Sequence, residues 1–471
     1  MQLRRDGVVR AMLLQAVLWV GLLWRVEAAD ESPDQFALPD FSIYHTKDQV
    51  FEEVENLVKA NTQIMKLDVL AISDEESDPP YRSSIKVVTV EPGGHTKDHE
   101  KKMRLLLNYG EHGRELITVE VALRLLQVLA DPSAELERAD MPGGPGKARL
   151  KALLHSTVFK IVPMENERGR DLVEAGNLCE RKNGRGVDTN RNWEVHWGYK
   201  EKDYDPNEEY PGTKPFSEPE AEALLELAKK FRPHVWMNAH SGMEALFMPY
   251  DHLPHIPSGD VAQATLQVLE KLNNVTCGGR CALGSGGKSV GYLAHGTATD
   301  YMYERLKVPL AFTWEIYGDN EAHFNDCFRM FNPVTPEAFD RVVTSWADAI
   351  FALLELLPSH PAIPRVHTHS HTLGRKGDVG ATRSSKESRV GSPPSADRKL
   401  GAAMQGWQSR MNDAARLRAQ VFDVPRGRKG LIGGVCVGLV AIVGFVVLVR
   451  GGGRGAASKR AARRRREDAA R

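Results

Sequence analysis

Short apolar runs and helix-spaced apolar positions alternate through the first three quarters of the chain. Met103 to Tyr109 (MRLLLNY) is a continuous apolar run of the length of a buried strand. After the turn Gly110-Glu111-His112-Gly113-Arg114-Glu115, apolar residues fall at Leu116, Val119, Leu123, Leu126 and Leu129, which predicts a helix over 116–130. Upstream, 61–73 and 84–91 read as strands flanking a turn at Asp78-Pro79-Pro80. Downstream, 131–147 reads as a loop rich in Pro, Gly and charge, and 156–163 as a strand. A helix is expected over 219–231, with Ser217-Glu218-Pro219-Glu220 as its start signal. The segment 234–238 reads as a strand ending at His240, 310–316 as a strand carrying Glu315, and 336–357 as a helix. Strands alternating with helices predict an α/β fold: a mixed, mostly parallel twisted sheet with helices on both faces.

Two apolar stretches lie outside this pattern. Ala11 to Trp24 follows Arg4, Arg5 and Arg10 and precedes Val26-Glu27-Ala28. That order predicts a signal peptide over 1–28, cut near Ala28 or Ala29. Leu431 to Val449 carries no charge and has about the 20 residues that a membrane helix needs. A transmembrane helix is therefore expected over 430–449. The tail, 450–471, is dense in Arg and Lys, which places it in the cytosol next to anionic lipid. The chain thus reads as single-pass type I, in the secretory pathway or at the plasma membrane, with a lumenal or extracellular body over 30–358. Between body and span, 359–429 has few large apolar residues and reads as a disordered stalk with a basic juxtamembrane segment. His367, His369 and His371 alternate there, a weak metal-binding pattern in what reads as a solvated linker.

The apolar share of 42% permits a sizeable core, and zero formal net charge argues against a general nucleic-acid binder. Cys179, Cys277, Cys281 and Cys327 fall in the body, and their three possible connectivities suit an oxidising compartment. Cys277 and Cys281 are near enough to pair locally, which would leave Cys179 with Cys327; a Cys-x-x-x-Cys metal site is the rival. Asn274-Val275-Thr276 is a glycosylation acceptor.

The chemistry concentrates on the turn after Met103–Tyr109. His112 and Glu115, three residues apart where a strand feeds a helix, can converge on one zinc ion; a surface ion pair is the bland alternative. His240, ending a strand ahead of Ser241-Gly242, is the candidate third ligand. Asn190 and Arg191 offer planar donors for a carboxylate. Glu315 ends an apolar strand, where a charge is costly without a partner.

This pattern resembles the zinc carboxypeptidases of the carboxypeptidase A type. The matching pieces are His112 and Glu115, Arg181, Asn190 to Trp193, His240-Ser241, Gly291-Tyr292 and Phe312 to Glu315. The resemblance covers about 41–357, and 240–250 and 292–319 look closest to a membrane-anchored branch found in green plants. It implies one zinc per chain held by His112, Glu115 and His240. It also implies Glu315 as general base, Arg181 at the oxyanion, and Asn190 and Arg191 at the substrate carboxylate. Tyr292 would close over the substrate, and Arg114 would lie near the next subsite. Thr299, seven after Tyr292, would sit at the pocket base, which favours neutral or apolar C-terminal residues unless Asp300 points inward. His112 comes too early in the chain for a folded inhibitory pro-region, and no run of strands follows the body as an accessory domain. The expected reaction is hydrolysis of the C-terminal bond of peptides or proteins by a monomer. The alternatives are a zinc amidohydrolase of small N-acyl amino acids and an inactive surface binding protein.

Overall fold

The computed structural model describes residues 36–363, apart from 78, 97–98, 142–144, 203 and 290–291. The expected signal peptide (1–28), transmembrane helix (430–449), tail (450–471) and the stalk beyond 363 lie outside the described residues. The first helix, Lys47–Ala60 (α1), begins at a capping box in which Thr46 and Gln49 satisfy each other's backbone N–H groups. Strands Met65–Asp74 (β1), Tyr81–Val90 (β2) and Met103–Asn108 (β3) follow, then helices Leu116–Ala130 (α2), Ser133–Ala139 (α3) and Lys147–His155 (α4). Thr157–Val162 (β4) leads to Glu167–Glu174 (α5) and Pro219–Phe231 (α6). Then come Val235–His240 (β5), Met243–Met248 (β6), Asp260–Thr276 (α7), Ala282–Ser285 (β7), Ala298–Glu304 (α8), Leu310–Tyr317 (β8) and Pro336–Leu356 (α9).

The eight strands form one sheet in the order β1-β2-β4-β3-β5-β8-β6-β7. The central run β4-β3-β5-β8 is parallel, and β6 pairs with β7 in parallel as well. The pairs β1-β2, β2-β4 and β6-β8 are antiparallel. The expected mixed, mostly parallel α/β sheet is what the chain adopts. Side chains alternate between its faces. Leu105, Leu107, Met237, Ala239, Phe312 and Trp314 join a core with α1, α2, α7 and α9, while Leu106, Trp236 and Ala311 join a second core with α6 and α8. Asn108, Asn238, His240 and Glu315 are in step with Leu106, Trp236 and Ala311, so they fall on the α6/α8 side. From β3 the next strand lies to one side of the sheet, and from β5 the next parallel strand, β8, lies to the other. The loops leaving β3 and β5 therefore diverge, and the crevice between them is where such sheets bind ligands.

One expectation needs adjustment. The span 131–147 is not a continuous loop, because Ser133–Ala139, a run of good helix formers after Pro132, coils into α3. Helix α9 and the residues leading into it are apolar and long enough to cross a membrane. Yet Val343, Trp346, Ile350 and Leu354 are buried in the core, so α9 belongs to the folded body.

Both disulfides form as expected, Cys179–Cys327 and Cys277–Cys281. The first closes a separation of 148 residues, for which loop-closure entropy gives on the order of 5 kcal/mol. The second closes a separation of 4, for which the same relation gives about 2 kcal/mol. Cys179→Ser with Cys327→Ser is expected to lower the urea midpoint clearly more than Cys277→Ser with Cys281→Ser; equal shifts would contradict this ranking.

Candidate active site

The turn after β3 is fixed by its neighbours. Gly110 has φ +64°, and a Cβ there would lie 3.1 Å from Met164 Cα. At Gly113 a Cβ would come within 2.6 Å of the Gly169 carbonyl, so the turn and α5 touch backbone to backbone. Asn166 caps α5 through Gly169 N–H at 2.7 Å and donates to Glu111 O at 3.0 Å. Glu115 is the N-cap of α2, but its carboxylate makes no capping bond. It turns towards two histidines instead.

His112 Nδ1 lies 2.7 Å from Glu115 Oε1, His240 Nδ1 lies 3.2 Å from Glu115 Oε2, and the two Nδ1 atoms are 3.1 Å apart. Ser241 N–H fixes Glu115 Oε2 from behind at 3.0 Å. Each outer ring nitrogen faces another carboxylate: His112 Nε2 is 3.3 Å from Asp188 Oδ1, and His240 Nε2 is 3.3 Å from Glu111 Oε2. Glu111 is anchored by Asn238 Nδ2 at 2.6 Å. Glu111, His112 and His240 are also close enough to share a metal ion. The rings separate the two acids, because only Glu115 faces the Nδ1 atom of both. With zinc–ligand distances of about 2.0–2.1 Å, tetrahedral ligand atoms stand about 3.3 Å apart, so the Nδ1, Nδ1 and carboxylate set fits zinc. The acids on the outer nitrogens are the partners that commonly orient metal-binding histidines. Burial alone would raise the pKa of Glu115, but the charges and hydrogen bonds of His112 and His240 hold it below the ordinary range.

Glu315 stands directly beside His240 in the β5-β8 register. Its Oε2 is buried without a hydrogen-bond partner. Burial pushes its pKa up to about 7, with His240 pulling it down and Glu115 pushing it further up. Arg181 donates from Nε to Asp188 Oδ2 at 2.9 Å and brings an Nη within 3.0 Å of His112 Nδ1. Asp188 thus joins Arg181, His112 and Asn190 N–H, the last at 3.0 Å. Burial opposes its ionisation, but Arg181 and Arg191 hold its pKa well below the usual range.

Arg191 reaches Glu209 at 2.7 Å, and Asn190 Oδ1 accepts from Ala298 N–H at 2.9 Å. Tyr292 is half-buried, and burial raises its pKa while Arg191 and Arg181 lower it. Arg114 pairs with Glu208 at 2.8 Å and stacks on Phe331 at 4.2 Å. Thr299 is buried, its hydroxyl 2.7 Å from that of Thr313. Asp300 accepts from the backbone of Asp251 and His252. Asp188, Glu111 and Asp251 join the site without having been expected from the sequence; Asp251 is a buried acid raised to about 7 by burial and by Asp300. Glu111 lies in the turn before α2 and Asp188 just ahead of Asn190, and both meet a partner from a distant segment. Asn274 is exposed near the end of α7.

A profile of the zinc carboxypeptidase family matches residues 58–341. Rat carboxypeptidase A2 is 26% identical over 294 residues, which cover 59% of this chain and 63% of that protein. Rat carboxypeptidase B2 is 24% identical over 316 residues, covering 64% and 69%. The chain thus spans just under two thirds of the first of these relatives. The crystal structure of carboxypeptidase A from Helicoverpa armigera superposes with a TM-score of 0.54 at 18% identity, over 73% of this chain and 80% of that one. That likeness concerns the fold.

An acid that titrates near 7 when folded, against about 4.3 when unfolded, keeps an extra proton in the folded state between those values. Its contribution to stability therefore falls as pH rises through that window. In chelator, Glu315→Gln is expected to melt above the parent at pH 8 and level with it near pH 4, by calorimetry across pH. A melting difference independent of pH would contradict this.

Proposed function

We propose, because the chain belongs to the zinc carboxypeptidase family, that it removes single residues from the C-termini of peptides or proteins. The observation that carries this reading is the meeting of His112 Nδ1, Glu115 and His240 Nδ1 within 2.7–3.2 Å, with Glu315 beside His240. Those three residues would hold one zinc ion. When bound, zinc supplies Lewis acidity and brings the pKa of water into the neutral range, near 7.

The chain's own groups perform the remaining tasks. Glu315, unpaired on Oε2 and tuned towards neutrality, takes a proton from the attacking water and delivers it to the leaving amine. Arg181, steadied by Asp188, presents a guanidinium to the oxyanion. Arg191 keeps N–H donors beyond those engaged by Glu209 and Asn190 O, and with Asn190 it binds the terminal carboxylate. An internal peptide bond offers no such charge, which limits cleavage to the last residue. Tyr292 closes over the substrate, and Arg114 borders the next subsite. Thr299 brings no charge and Asp300 is occupied by backbone N–H groups, which supports neutral or apolar C-terminal residues. Asp251, buried and sensing the charge of Arg191, is the residue that would turn this preference towards Lys or Arg.

Both disulfides and the exposed Asn274 support a secretory-pathway location for the body. The anchor at 430–449, the type I orientation and the monomeric state are our reading of the sequence. The likeness of 240–250 and 292–319 to a plant branch rests on those runs alone.

Purified full-length chain is expected to release terminal residues from a mixed peptide pool and to lose activity with chelator. His112→Gln should remove one zinc. Glu315→Gln should keep that zinc and lose about 100- to 10,000-fold in kcat, and Arg181→Ala about 100- to 1,000-fold. Cleavage of small N-acyl amino acids but not peptides would replace this reading with amidohydrolysis. Tight peptide binding without turnover would replace it with a surface binding protein.

A further inference from the structure

Outside this site, two histidines and a glutamate converge from three separate segments. His196 follows the Asn190 to Trp193 segment, His252 follows β6, and Glu304 ends α8. We propose that His196, His252 and Glu304 form a second divalent-cation site taking zinc, cobalt or a similar borderline metal. His196 Nε2 is 3.3 Å from Glu304 Oε2, and His252 Nε2 is 3.7 Å from Glu304 Oε1. One ligand atom from each residue lies within 4.8 Å of the others. The two imidazoles stack, with ring centroids 3.7 Å apart and planes 23° from parallel, so both rings run side by side to the same carboxylate. Two imidazoles and one carboxylate repeat the donor types gathered by His112, Glu115 and His240, a set suited to zinc and its neighbours.

The orientation of His252 is the second observation. Asp300, itself buried, lies 2.6 Å from His252 Nδ1 and also accepts the His252 backbone N–H at 3.1 Å. With Nδ1–H donated to Asp300, Nε2 carries a lone pair, and that lone pair faces Glu304. A neutral imidazole between two carboxylates satisfies only one of them. The other contact requires either an added proton or a cation between Nε2 and Glu304. An acid behind the ring is the arrangement that fixes metal-binding histidines. His252 is buried and Glu304 half-buried, whereas His196 stands at the surface, so an ion could enter from solvent.

The site would tie together three segments that also carry candidate substrate residues. The His196 segment runs on from Asn190 and Arg191, His252 adjoins Asp251, and α8 carries Thr299 and Asp300. An ion there would hold the walls around the terminal residue of the substrate without contacting the hydrolytic centre.

The test is cobalt(II) titration of full-length chain stripped by chelator, counting bound ions by equilibrium dialysis. His196→Gln and Glu304→Gln are each expected to bind one ion per chain fewer than the parent. His196 is exposed, so His196→Gln should keep the parent's circular dichroism spectrum. Equal ion counts in the parent and in His196→Gln would overturn the assignment, as a bare imidazolium pair would give no lost ion. The parallel His112→Gln sample separates the two sites. If it binds as many ions as the parent while His196→Gln binds one fewer, this site stands and the hydrolytic reading falls.

Discussion

Burying charge is the constraint on which this site depends. His112, Glu115, Asp188, Glu111 and His240 are nearly removed from solvent, and an ionised group there is tolerable only beside an opposite charge or a donor. Each member is answered. Glu115 faces two imidazoles, Asp188 faces Arg181 and His112, and Glu111 faces Asn238 and His240. Glu315, beside His240 in the strand register, keeps one oxygen without a hydrogen-bond partner. An unpartnered oxygen on a buried strand residue costs stability, which the paired charges around it offset.

The scaffold makes this possible by separating roles between faces. Alternation along β3, β5 and β8 sends Leu105, Met237 and Phe312 into the larger core and leaves Asn108, Asn238, His240 and Glu315 for the other side. The strand order adds divergence, since loops leaving β3 and β5 turn opposite ways. The turn bearing His112 needs Gly110 for its backbone conformation and Gly113 for its contact with α5. Packing, turn chemistry and topology therefore converge on one crevice.

Much of this was legible in the sequence, and what was not has a physical cause. The bounds of α2 and α6 agree with the apolar period read for both and with the start signal read for α6; α6 buries one stripe, whereas α2 is buried on every side along 116–123. The strands β6 and β7 were missed: Met243–Met248 begins after only Ser241 and Gly242 beyond β5, and Ala282–Ser285 is short and contains Gly284. Helix α1 was overlooked since its charged residues outnumber the three it buries. His112, Glu115, His240 and Glu315 could be found because motif spacing reports them. Asp188, Glu111 and Asp251 could not, because their meaning comes from residues brought near by folding. The same holds for His196, His252 and Glu304, scattered over three segments with no common motif.

The bridge between Cys179 and Cys327 also has a topological consequence. It encloses Arg181, Asn190, Arg191, His240, Tyr292 and Glu315 in one covalent ring, while His112 and Glu115 lie upstream of it. A protease nick inside the ring would leave both fragments joined, so the cut would show on a gel only after reduction. A nick between Glu115 and Cys179 would sever the segment bearing those two residues, leaving it attached by packing alone. For covalent survival, then, the molecule has a shielded part and an unshielded one, and the border passes between the two histidines that face Glu115.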